Sequence, residues 1–233
     1  MNYGVLGILS IGFVLGLKHA IEADHLAAVS TIVADRRSIW ASALVGASWG
    51  IGHTITLLIV ASLAIVFKFS ISPALEGKLE GFVGVMLVVL GLNALRKLFK
   101  NDKIHAHTHV HGERKHVHIH THKNDENAEK LSHHLVKNSP RSILIGMVHG
   151  LAGSAALMLL IVPTINSPAL ALMYIAIFGI GSIGGMMLMS ILMSLPIHFT
   201  AGRFDSFNKV LLCLAGVFSL GLGISIVYER FYA

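Results

Sequence analysis

Within seven residues of this 233-residue chain stand two imidazoles and two carboxylates: His19, Glu22, Asp24 and His25. Imidazole nitrogen combined with carboxylate oxygen is the donor set of a borderline divalent cation such as Ni²⁺, Co²⁺ or Zn²⁺. The setting makes the group informative. Lys18–His25 lies inside a stretch that is otherwise apolar from Tyr3 to Val33, and about 20 apolar residues suffice to cross a bilayer. An ionisable group at that depth costs roughly 2.5–3.5 kcal/mol on insertion scales, so such groups mark ion or substrate paths. The plainer alternative is a buried Asp–His or Lys–Glu pair that fixes helix packing, but neutral side chains would pack there at lower cost.

A straight helix does not easily place these residues on one ion. At ~100° per residue His19, Glu22 and His25 share a face while Asp24 points away. Six residues also rise ~9 Å, whereas metal–nitrogen bonds are ~2 Å long. Either the residues are successive stations along a path, or the helix unwinds near Ala20–Ala23; discontinuous helices at the midplane sites of transporters favour the second. His53 stands in Gly50-Ile51-Gly52-His53-Thr54, midway along the next apolar stretch. Small flanking residues let helices approach closely, which would bring His53 to the first helix as a further ligand. A histidine donating to a carbonyl across a packed seam is the alternative, and His149, in Met147–Ser154, carries the same two readings. Met186, Met187, Met189 and Met193 sit at mixed spacings among glycines and read as packing rather than as a thioether lining.

The elements that must position these side chains are membrane helices. The chain is 54% hydrophobic and 13% charged, against ~25% charged in soluble domains. Its formal charge of +6 lies in the connections between apolar stretches, so nucleic acid is not an expected partner. Cys213 is the only cysteine, which excludes a disulfide framework and a dithiol redox pair and argues against a membrane electron conduit. Met1–Gly4 lacks the positive start of a signal peptide, so the first stretch is expected to remain as a membrane segment. The expected spans are about 3–33, 38–67, 79–99, 141–165, 168–195 and 207–228. The first two exceed the ~20 residues needed, so they should tilt, break or project beyond the bilayer. Breaks are expected at Asp35–Arg37, Ser72–Pro73, Ser167–Pro168 and from Pro196 to Asp205.

The halves resemble one another. Gly16 to His19 matches Gly146 to His149, Gly46 and Gly52 match Gly179 and Gly185, and Gly84 and Gly91 match Gly216 and Gly223, at shifts of 130, 133 and 132 residues. Three spans per half is an odd number, so the second half must enter the bilayer from the opposite side, as in transporters with a central site. The expected fold is therefore an all-α integral membrane protein of six transmembrane helices, arranged as two inverted three-helix repeats with a broken first helix. Its parts are residues 1–99, a histidine-rich loop at 100–139, and residues 140–233. Asp24, His25 and His53 correspond to Ser154, Ala155 and Met186, so the ligands lie in the first half and His149 near the pseudo-axis.

The loop at 100–139 holds alternating histidines at 105–111 and 116–122, followed by His133 and His134. With few apolar residues it is expected to lack order without metal. If extended, its histidines would share a side and hold any of several imidazole-loving ions. Lys and Arg concentrate in the connections around 36–37, 96–141 and 203–209, leaving Lys68, Lys78 and Arg230 on the other side. The excess marks the cytoplasmic face, so both termini should be outside and the histidine-rich loop inside a prokaryotic plasma membrane.

At these residues the chain resembles the nickel/cobalt transporter superfamily, and within it the short permeases of the UreH type encoded beside urease genes. The family's first motif, roughly Arg-His-Ala-x-Asp-Ala-Asp-His-Ile, stands here as Lys18-His19-Ala20-Ile21-Glu22-Ala23-Asp24-His25-Leu26, and its Gly-His-Ser/Thr element as Gly52-His53-Thr54. The resemblance implies that His19, Asp24, His25 and His53 are metal-site residues, assisted by Glu22 or His149. Lys18 replaces Arg and Glu22 replaces Asp. Six spans replace the eight of longer members, and their acidic Leu-Gly-Phe-Asp-Thr-Ala-Thr-Glu motif is missing. It implies a Ni²⁺ permease, with Co²⁺ a second substrate, that is not an enzyme and needs no cofactor, the ion being cargo. Expected partners are the ion, the bilayer and, as a candidate, a cytoplasmic metallochaperone. An efflux protein of the same superfamily and a membrane metal sensor or store are the competing readings.

Overall fold

The computed structural model describes residues 3–34, 38–68, 72–99, 105–111, 114–120, 139–151, 165, 167–200 and 205–232. Its helices are α1 (Tyr3–His19), α2 (Ala23–Val33), α3 (Ile39–Phe67), α4 (Pro73–Phe99), α5 (Ser139–Gly150), α6 (Pro168–Thr200) and α7 (Asp205–Phe231). Four of them, α3, α4, α6 and α7, are long and apolar enough to cross a membrane, and α1 with α2 makes a fifth span if the bent pair is counted as one. The expected span at 141–165 is described only through α5; residues 152–164 lie outside the described residues.

The described helices start where local chemistry directs them. Ser38 caps α3 by accepting from the Ala41 N–H at 3.4 Å. In Ser72-Pro73 and Ser167-Pro168 the serine hydroxyls accept from Leu75 N–H and Leu170 N–H at 3.3 and 3.4 Å. Proline takes the first helical position, where its missing N–H removes nothing. This is why α4 begins at Pro73 and not at 79, where apolar length alone had set the start. The break expected from Pro196 onward also moves. α6 runs through Pro196 to Thr200, since prolines are tolerated in membrane helices when neighbouring groups satisfy the freed backbone.

α1 and α2 meet at 55°. The end of α1 tightens, with Ile21 N–H on the Lys18 carbonyl at 3.0 Å and Glu22 N–H on the His19 carbonyl at 3.1 Å. Glu22 is then extended, with φ −63° and ψ 150°, and opens α2 as its N-cap residue. Asp24 falls in the first turn of α2, where the helix dipole favours a carboxylate.

Packing pairs α1 with α6, α3 with both α5 and α6, and α4 with α7, while α2 lies among α4, α6 and α7. In lipid the seams depend on small residues that allow close approach. A side chain at Gly91 would run into Gly216, and one at Gly223 into Gly84. Gly146 lies against the Trp49 backbone, Gly52 against Ile143, and Gly16 against Phe178 and Ser182. The main buried cluster gathers Ala27, Ala28, Val29, Val45, Trp49, Leu87 and Met186. Outward faces carry Val14, Ile59, Phe82, Val89, Ile180 and Leu214. Among the described residues, four histidines are buried instead. Apolar outside and imidazole inside is the arrangement of a membrane protein with an internal site.

The loop expected to lack order carries two antiparallel strands, β1 (His105–His111) and β2 (Arg114–His120), with His105 opposite His120, His107 opposite His118 and His109 opposite His116. The all-α class thus holds for the helical body and not for this hairpin. Histidines alternate here with Thr108, Val110, Val117 and Ile119, and a period of two with β-branched residues suits a ladder. His122, His133 and His134 lie outside the described residues.

Candidate metal centre

The break does for the first motif what a straight helix cannot. His19 ends α1 and His25 lies in the first turn of α2. A continuous helix would separate them by ~9 Å of rise; here their ring centroids are 4.3 Å apart. The same turn aims Asp24 inward. Its Oδ1 is 3.0 Å from His25 Nδ1 and its Oδ2 is 3.0 Å from His149 Nε2. One carboxylate from α2 therefore bridges two imidazoles, one of them from α5.

His53 arrives on α3, its ring 5.2 Å from that of His19 and 5.4 Å from that of His25. Gly52 and Gly150 bring α3 and α5 together, since a Cβ at Gly52 would meet the Ile143 carbonyl and one at Gly150 the backbone of His53. All four imidazoles are at most 1% exposed. Glu22 is 41% exposed and reaches His19, with Oε2 at 2.9 Å from Nδ1 though without hydrogen-bond alignment. All six residues expected at the site are brought together, and Lys18 is not among its contacts. Met186 is buried in the core, whereas Met187 is exposed; the methionines do not form one lining.

Two groups of ligand atoms have a spread of no more than 4.8 Å: His19, His25 and His53, and Asp24, His25 and His149. Around an ion with bonds of ~2.1 Å, tetrahedral ligand atoms sit ~3.4 Å apart, so side-chain adjustments of about an ångström close either group. Among the described residues, His25 Nε2 and His149 Nδ1 are buried without a hydrogen-bond partner. A buried unsatisfied nitrogen costs ~1–3 kcal/mol, and a ligated cation removes that penalty.

Trp49 was not singled out from the sequence. Its indole is fully buried, stacks on His25 at 5.4 Å with 25° between planes, and meets His149 edge-on at 5.4 Å. The signal was present: Trp49 is four residues before His53, hence on the same helix face.

Fold and site together define a class: a helical membrane protein that gathers buried imidazoles and a carboxylate at a helix break. No family model matches the chain, and no solved structure matches it. It is 38% identical over 227 residues to the urease accessory protein UreH of Bacillus sp. (strain TB-90), covering 97% of this chain and 92% of that protein. It is also 25% identical over 223 residues to the chloroplast protein FOR GROWTH AND FERTILITY 2 of Arabidopsis thaliana, covering 95% of this chain and 56% of that longer one. The chain belongs to the UreH family.

Proposed function

We propose that this chain is a Ni²⁺ permease, carrying Co²⁺ as a second substrate, that moves the ion into the cytoplasm in support of urease. The observation that carries this reading is the gathering of four buried imidazoles around a half-buried Asp24 at the α1–α2 break, inside helices whose outer faces are apolar. Imidazole is a favourable ligand for Ni²⁺ and Co²⁺ and a poor one for Mg²⁺ or Ca²⁺, which prefer oxygen. Kinship with a urease accessory protein agrees with nickel as cargo.

In this reading, Glu22 meets the hydrated ion at the exposed edge of the site. The imidazoles of His19, His25, His53 and His149 replace its water, and Asp24 offsets its charge. The six-helix inverted repeat has support in reciprocal contacts. The contacts Gly84–Gly223 and Gly91–Gly216 pair positions that the 132-residue shift interchanges, and Gly16–Ser182 becomes Trp49–Gly146 under the shifts of 130 and 133. Lys and Arg placement orients the histidine-rich hairpin to the cytoplasm, where it would collect arriving ions or pass them to a metallochaperone. A potential of 100 mV is worth ~2.3 kcal/mol per charge. For a dication that is ~4.6 kcal/mol, or roughly 10³-fold accumulation at ~1.4 kcal/mol per decade.

Radioactive nickel accumulation in cells tests the proposal. Cells with the protein should exceed vector controls, and His19→Ala and His25→Ala should return uptake to the control level. Accumulation below the control identifies an exporter. Full uptake by both variants removes the site.

A further inference from the structure

The two ligand groups at the break are not independent, because His25 belongs to both. A neutral imidazole has one nitrogen lone pair available to a metal, so His25 serves one ion at a time. The groups also differ in chemistry. His19, His25 and His53 offer three neutral nitrogens, whereas Asp24, His25 and His149 offer two nitrogens and a carboxylate oxygen.

We infer that the ion occupies two overlapping positions in turn, the all-imidazole group of His19, His25 and His53 and the carboxylate group of Asp24, His25 and His149, with His25 handing it from one to the other. The inference rests on the permease reading and gives its site an internal order. Glu22, the most exposed of the six, contacts His19, which belongs to the all-imidazole group alone. That group therefore meets the ion first. Three neutral nitrogens reject Mg²⁺ and Ca²⁺ there, since hard cations bind through oxygen.

Asp24 belongs to the other group, already bonded to Nδ1 of His25 and Nε2 of His149. An ion arriving there replaces those two hydrogen bonds, the ring protons moving to His25 Nε2 and His149 Nδ1, otherwise unpartnered among the described residues, and gains the carboxylate charge. Ring centroids of His19 and His149 lie 4.3 and 4.1 Å from that of His25, so the transfer needs a step of only a few ångströms. His25 borders both positions, so the ion is not carried far from protein ligands in a low-dielectric interior.

The test uses the full-length chain in lipid nanodiscs with Co²⁺ as the probe, because its visible absorption reports the donor set. Binding is read as the difference from His25→Gln, which removes both positions and leaves the hairpin histidines in place. The wild type should bind one more Co²⁺ than His25→Gln. His149→Gln should retain a spectrum of nitrogen donors, and His53→Gln one with an oxygen donor. Each should lower Ni²⁺ uptake into proteoliposomes at least tenfold. Asp24→Asn, which keeps the side-chain volume, should abolish the oxygen-donor spectrum in the His53→Gln background; on its own it should retain the nitrogen-donor spectrum, which gives the same answer should His149→Gln fail to fold. A difference of two Co²⁺ means that both groups fill together and overturns the hand-over. So do unchanged spectra in both single variants, or unimpaired uptake in either. Wild-type proteoliposomes that take up no Ni²⁺ remove the permease reading instead, while the Co²⁺ stoichiometry and spectra still decide between one position and two.

Discussion

Substituting Gly146 with alanine tests whether the α3–α5 seam positions the centre. The added Cβ would overlap the Trp49 carbonyl oxygen and the edge of its indole. Nonbonded carbons settle at ~3.5–4.0 Å, so the seam must open by about an ångström or more. Overpacking of this kind costs ~1–3 kcal/mol. His149 lies three residues on, and its Nε2 is 3.0 Å from Asp24 Oδ2; an ångström of displacement takes that contact beyond hydrogen-bond range. The same displacement moves a metal ligand out of position, and disturbing the groups that orient a ligand costs roughly 10- to 100-fold in metal affinity. Ni²⁺ affinity measured by competition in nanodiscs should weaken by that factor, with a lower unfolding temperature. Gly91→Ala is the control. Its Cβ would meet Gly216 and Leu220 in the α4–α7 seam, which holds no residue of the centre, so it should lower stability without weakening Ni²⁺ binding. Equal losses of affinity in the two variants, or unchanged affinity in Gly146→Ala, would refute the link between this seam and the site.

Three other outcomes are expected. Trp49→Leu should lower both stability and Ni²⁺ affinity, since the buried indole stacks on His25 and braces His149; metal competition together with thermal unfolding checks it. Deleting residues 101–138 should leave uptake through the helical body largely intact when nickel is abundant and reduce it when nickel is scarce; complete loss of transport would count against an ancillary hairpin. Glu80 and Arg230 pair at 2.5 Å between α4 and α7, with side chains 21% and 41% exposed. Arg230→Ala should cost no more than about 1 kcal/mol, as partly exposed pairs do, and leave uptake unchanged.

Much of the helical body was legible because length and polarity are local properties. Ser-Pro turns and apolar runs set α3, α4, α6 and α7 to within a few residues, except at the start of α4, which was placed at 79 and lies at Pro73, and where Pro196 was read as a stop and proved to lie inside α6. The hairpin was missed because its composition argued against order while its period of two argued for strands, and composition was given precedence. Trp49 was overlooked because an aromatic in an apolar helix has no distinctive spacing until its neighbours are known.

His19, Asp24, His25 and His53 could be singled out as candidate metal ligands without coordinates, since donor type and the expense of polar groups in lipid depend on residue identity and on the run containing them. Their sharing of one centre could not be read in the same way. That depends on Glu22 adopting an extended backbone, which turns α2 through 55° and carries His25 back onto His19. It depends equally on glycine contacts that bring His149, 125 residues from Asp24 along the chain, onto the same carboxylate. Ligand chemistry is written in single residues; which of them meet is decided by helix angles and seam widths, and those exist only once the helices have packed.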